Sequence, residues 1–200
     1  MAVIAESENA VESSVAVLEL IARRWSPKDF SERPVEPEKL ASLFEAARTA
    51  PSSYNEQPWR FIVATRDDAA AFERLLSTLA APNAAWAKHA PVLILSVAKL
   101  DFTRNGQPNR HAFHDVGQAA AYLTLQATSL GLSVHQMGGF DGERAARLLN
   151  IPSGYAPVAV MAVGYREASR DTRSAALQRS RRAVEELVFS GTWGESSNIF

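Results

Sequence analysis

The chain has no cysteine among its 200 residues. That excludes disulfides, thiolate-bound iron–sulfur clusters, thiol nucleophiles and cysteine-ligated zinc. Net charge is also nearly missing, with 21 Lys and Arg against 22 Asp and Glu. Global electrostatics therefore gives no reason to expect nucleic acid or an anionic membrane as partner. No run of about eighteen apolar residues exists, so no membrane-spanning helix is expected. Residues 1–11, with Glu6 and Glu8, lack a basic and then apolar leader. They read as a flexible leader rather than a signal peptide, and a cytoplasmic location is expected. Both nucleotide signatures, G-x-G-x-x-G and G-x-x-x-x-G-K-[ST], are absent, as is the G-x-S-x-G of serine hydrolases.

What is present suits one globular domain over residues 12–200, at 46% hydrophobic content. Val15, Leu18, Ile21 and Ala22 recur at helical spacing, ending near Arg23 and Arg24. Pro37 suits a first helical turn, and Leu40, Leu43, Phe44 and Ala47 follow as its apolar stripe. Arg60–Thr65 reads as a strand. Asp67 or Asp68 caps a helix with the stripe Phe72, Leu75, Leu76 and Leu79, and Asn83–His89 reads as an irregular link. Val92–Ala98 is a buried strand, and the polar stretch Asp101–Asn109 a surface loop. A long helix from about Arg110 to Leu130 is expected to be buried on several sides and to stop at Gly131. A strand over Leu132–Met137, a helix capped by Asp141 and a strand over Pro157–Tyr165 complete the list. Without strict βαβ alternation this pattern favours an α+β fold.

The densest polar feature is Pro51–Trp59, PSSYNEQPW, at a helix-to-strand junction. Its two prolines restrict the backbone, so Ser52, Ser53, Asn55 and Gln57 are held in a fixed constellation suited to a planar, polar ligand. Upstream, Arg24, Ser26 and Lys28 place two cations and a hydroxyl at alternate positions. Segment 166–182 holds six arginines, among them Arg179 and Arg181, against two acids. Guanidinium groups grip phosphate well, although a solvated basic surface gives the same composition. Gly138 and Gly139 follow a strand and precede a capped helix, where backbone N–H groups can approach a ligand edge or simply make a turn. His111, His114 and Asp115 share a helix face, as metal ligands would or as a polar first turn would. His89 and His135 read as packing or hydrogen-bonding residues, and Trp86, Phe113 and Phe140 as candidate pocket linings.

Taken in order, RRWSPKDF, AARTAPSSYNEQPWRFIV, GQAAAYLTLQATSLGL and QMGGFD resemble the nitroreductase family of FMN-dependent oxidoreductases, from about Arg23 to Val188. The resemblance implies a mainly antiparallel sheet flanked by helices, in an intertwined homodimer with two FMN sites at the interface. It implies flavin contacts from Arg24, Ser26 and Lys28, and from Ser52, Ser53 and Asn55 reaching the partner's flavin. Gly138 and Gly139 would lie along the reactive edge of the ring, and Arg179 and Arg181 would grip the FMN phosphate. Asn83 would contact the pyrimidine, while Ala85 and Trp86 stand where some relatives have a lysine. The tail, with its apolar patch Val184–Phe189, would embrace the other protomer. The implied activity is ping-pong reduction of nitroaromatic, quinone or related small acceptors by NAD(P)H, with no obligatory side-chain acid or base. Dehalogenation or dehydrogenation on the same fold, a non-catalytic flavin-binding dimer, and a histidine metal protein are the alternatives.

Overall fold

The structure, a computed structural model, describes residues 15–167, 181–197 and 199. Its centre is a four-stranded antiparallel sheet in the order β1-β2-β4-β3, where β1 is Trp59–Thr65, β2 Val92–Lys99, β3 Ser133–Met137 and β4 Tyr155–Gly164. Strand β2 is buried along Val92–Ala98 because both of its faces are covered. Side chains alternate across the sheet, and the two faces serve two cores. Val92, Ile94 and Ala98 pack with α2 (Pro37–Arg48) and α5 (Ala112–Ser129). Leu93, Leu95 and Val97 pack with α3 (Ala69–Leu76) and α6 (Gly142–Leu148). The result is a helix–sheet–helix sandwich of the α+β class expected from the sequence. No helix among the described residues is long and apolar enough to cross a membrane.

Local signals explain most boundaries. Pro37 opens α2, where its missing N–H costs nothing. Of the two candidate caps, Asp68 starts α3 by accepting from Ala71 N–H at 3.0 Å, and Asp141 starts α6 by accepting from Arg144 N–H at 2.8 Å. Gly131 follows α5 at φ +74°, a left-handed stop that a side chain would strain.

Three expectations fail. The first helix, α1, covers only Glu19–Arg23, and Val15 and Leu18 are exposed, outside both cores formed by the described residues. Asn83–His89 is not irregular: Ala81–Ala87 forms α4, opened by Pro82 in its first turn. Helix α5 is buried on one broad side only. Its other side exposes Phe113, Gly117, Ala121 and Tyr122.

Candidate functional site

The loops before β1, after β2 and after β3 all emerge at one end of the sheet. Two clusters of polar side chains are built around them.

The first cluster centres on Arg24, just past α1. Its Nη1 donates to Ser26 Oγ at 2.9 Å. Burial, and then the like charge of Arg181, hold its guanidinium below the ordinary value. The fold thus brings two cations from the chain's opposite ends close enough to repel. Beneath them His135 on β3 meets the Pro27 carbonyl through Nδ1 at 2.9 Å and packs against Trp86, ring centroids 4.6 Å apart. Burial lowers the His135 pKa. Carbonyl contacts from Pro27 and Ser26 oppose that, and the charges of Lys28 and Arg24 reinforce it. The Trp86 indole N–H is buried with no acceptor among the described residues.

Asn83, one turn before Trp86 on α4, donates Nδ2 to the Gly139 carbonyl at 3.0 Å, joining α4 to the exit of β3. A Cβ at Gly139 would stand 2.8 Å from that same amide, so a side chain there forces the Asn83 amide to move. Gly138 has open space instead. Among the described residues, the N–H groups of Gly138 and Gly139 meet no backbone or side-chain acceptor.

The second cluster is the junction Pro51–Trp59. Tyr54, Asn55 and Gln57 all have φ between +51° and +56°, conformations that cost non-glycine residues roughly 1–3 kcal/mol each. Several contacts hold this shape. Gln57 N–H donates to Ser52 Oγ at 3.0 Å, and Trp59 anchors in the core. Ser53 N–H donates to Oδ2 of the buried Asp115 at 2.9 Å. The buried Glu56 carboxylate takes Lys99 Nζ at 2.9 Å and Thr103 N–H at 3.0 Å. Burial pushes the Glu56 carboxyl up, but the Thr103 and Lys99 hydrogen bonds outweigh it and hold it below the ordinary carboxylate value. Sequence spacing did not reveal Asp115, Glu56, Lys99 and Thr103 as one clamp, since these contacts span 43 to 62 residues.

The structure therefore groups Arg24, Ser26, Lys28 and Arg181 at one place, joins Asn83 to Gly139, and gathers Ser52, Ser53 and Asn55 at another. Among the described residues, none of the junction's own hydrogen bonds or ion pairs reaches the first cluster. The junction enters β1 and the glycine pair leaves β3, the two outer strands, three spacings or roughly 14 Å apart. Arg179 lies outside the described residues, as does the 1–11 leader. His111 and His114 do other work: His114 Nδ1 lies 3.1 Å from Asp115 Oδ1, and His111 Nε2 accepts from Arg110 at 3.2 Å. No group of three His, Asp or Glu among the described residues is arranged to hold a metal.

Residues 21–165 match the model of the nitroreductase family. A 15.4 kDa protein of Mycolicibacterium smegmatis is 38% identical over 68% of this chain and 97% of its own length. An NADH dehydrogenase of Thermus thermophilus is 32% identical over 72% of this chain and 83% of its own. Among solved structures, an oxidoreductase containing FMN superposes with a TM-score of 0.85 at 30% identity, covering 96% of this chain and all of that one. The chain belongs to the nitroreductase family.

Two predictions arise from this geometry. Gly139→Ala should push the Asn83 amide off the Gly139 carbonyl and weaken FMN binding about tenfold, the value of one hydrogen bond, in a flavin-fluorescence titration. His135 gives a pH dependence. Its folded pKa lies below the ordinary value, so an unfolded chain binds this proton first as pH falls. Its contribution to stability is full above about pH 6.5 and is lost as pH drops below it. His135→Asn, which can still donate to Pro27, should remove that limb from denaturation midpoints taken between about pH 7 and 5.

Proposed function

We propose that this chain works as a homodimer in which each FMN lies between the Arg24 cluster of one protomer and the Pro51–Trp59 junction of the other. The protein is an NAD(P)H-dependent flavin oxidoreductase with FMN as its cofactor, in keeping with its family. The observation that carries the site assignment is the convergence of Arg24 and Arg181. A half-buried Arg24 with the exposed cation Arg181 near enough to lower its pKa makes a seat for an anion. The residues fit FMN: cations for its phosphate, and N–H groups at Gly138, Gly139 and the Trp86 indole that meet no acceptor among the described residues.

Bound FMN would supply a two-electron redox centre, reduced by NAD(P)H and reoxidised by a second substrate. The protein's own groups then bind, orient and stabilise. Arg24, with Arg181, would neutralise the phosphate, and Arg179 is proposed beside them from the resemblance. Ser26 is fixed by Arg24 and would offer its hydroxyl to the cofactor. Lys28, beside Arg24 and His135, would stabilise negative charge that accumulates on reduction. Ser52, Ser53 and Asn55 would close the site from the other subunit, and Asn83 would hold the glycine pair in line. No side-chain acid or base is required, and nitroaromatics and quinones are the proposed acceptors.

Dimerisation is supported by surfaces that one chain leaves bare. The exposed side of α5 carries Phe113 (52% exposed), Gly117 and Tyr122 (41%). In the tail, Leu187 and Trp193 (91%) are exposed as well. Such apolar area calls for a partner, and the tail of a single 12–200 domain wrapping a second copy would supply one. The purified protein should be yellow and should bleach on anaerobic addition of NADH or NADPH. A colourless protein that takes up no stoichiometric FMN would refute the reading.

A further inference from the structure

Arg104 is an exposed cation that the chemistry above leaves unused. It stands at the tip of the 101–109 loop. That loop is closed by the Asp101–Pro108 bridge, by Phe102 N–H to the Gln107 carbonyl at 2.9 Å, and by Gly106 N–H to the Phe102 carbonyl at 2.8 Å. Its guanidinium lies 4.0 Å from the ring centre of Tyr54 and 5.4 Å from that of Phe102. The two rings meet edge-on, 5.7 Å apart. Among the described residues Arg104 forms no ion pair, and Glu56, the acid beside Tyr54, is committed to Lys99 and Thr103.

Three features separate this stack from an ordinary surface contact. Tyr54 is 74% exposed and held at φ +53°, a strained presentation of a large side chain to solvent. It stands between Ser53 and Asn55, so anything stacked on it borders the site. Glu56 bolts the 101–109 loop to the junction, so Arg104 and Tyr54 keep a fixed relation to it. A guanidinium held over a ring by cation–π contact, with no acid among the described residues paired to it, can still turn N–H groups to an incoming anion. Those N–H groups are the part that grips phosphate in bidentate fashion.

We propose that Arg104, steadied on Tyr54, is a binding residue for a phosphate of the incoming nicotinamide dinucleotide at the mouth of the flavin site. The assignment rests on the function proposed above. It concerns the reductant rather than the FMN, whose phosphate is given to Arg24 and Arg181. The same residue would favour anionic over neutral planar substrates.

The test uses the FMN-loaded protein and the variants Arg104→Gln, which removes the charge, and Arg104→Lys, which keeps charge without the fork. Calorimetric titration with NADP+ and NAD+ measures binding without turnover. Steady-state rates with NADPH, NADH and the phosphate-free 1-benzyl-1,4-dihydronicotinamide give the ratio of kcat/KM for nucleotide to that for the phosphate-free reductant. In Arg104→Gln the dissociation constant should rise about tenfold for at least one nucleotide, and the ratio should fall about tenfold. Arg104→Lys should lie between Arg104→Gln and wild type. Loss confined to NADP+ and NADPH assigns Arg104 to the 2′-phosphate, and equal loss for both nucleotides assigns it to the pyrophosphate. Dissociation constants within about twofold of wild type, or an equal fall for all three reductants, would overturn the assignment. A protein that takes up no FMN would instead refute the function itself, and this assignment with it.

Discussion

Asp115→Ala should weaken FMN binding by about ten- to a hundredfold, although Asp115 is proposed to touch neither cofactor nor substrate. Its carboxylate is buried and accepts Ser53 N–H at 2.9 Å. Truncation leaves that N–H without its charged acceptor, at a cost of about 1–3 kcal/mol. It also releases a junction whose Tyr54, Asn55 and Gln57 sit in conformations they would not adopt alone. Asp115 is therefore a positioning residue, and the effect should appear in FMN affinity by fluorescence quenching. Asp115→Asn still offers an oxygen to Ser53 and should recover most of the loss. An Asp115→Ala protein that binds FMN as wild type does would show that the junction holds its shape without this clamp.

Arg24→Ala should lower FMN affinity by about a hundredfold, the worth of one or two charge-assisted hydrogen bonds to phosphate. Its effect on the cofactor-free protein should be small. The Ser26 hydrogen bond is lost, but so are the burial of a charge and the repulsion from Arg181. Thermal melts with and without excess FMN separate these effects. Wild type gains about 2.7 kcal/mol when FMN stands at a hundred times its dissociation constant, and the variant should gain only about 0.4 kcal/mol at that concentration. A large fall in the melting temperature of the cofactor-free variant would instead make Arg24 a structural residue.

The contrast between these two residues shows what a sequence discloses. Arg24, Ser26 and Lys28, and likewise Ser52, Ser53 and Asn55, lie within a few residues of one another. Local backbone geometry keeps them together, so their pattern is readable in one dimension. The same holds for the Asp68 and Asp141 caps and the Gly131 stop, each decided within one helical turn. Asp115 is different. Its place beside His111 and His114 suggested a metal face or a first-turn acid, and only folding shows it aimed at Ser53, 62 residues away. The Glu56–Lys99–Thr103 clamp was hidden for the same reason. Helix α4 was missed because a seven-residue helix rich in alanine carries little periodicity, and only Pro82 marked its start. The segment before α1 failed in the other direction. Val15 and Leu18 have helical spacing, but both lie outside the helix and are exposed among the described residues.

The composite site can be decided with a mixed dimer. Arg24→Ala and Asp115→Ala chains, carrying different tags, are co-expressed and the heterodimer is isolated. If the Arg24 cluster of one protomer works with the junction of the other, one of the two sites unites intact halves, while its twin carries both substitutions. The heterodimer should then bind one FMN per dimer with wild-type affinity. Failure to bind any FMN at that affinity would place the whole site within one chain and contradict the shared architecture.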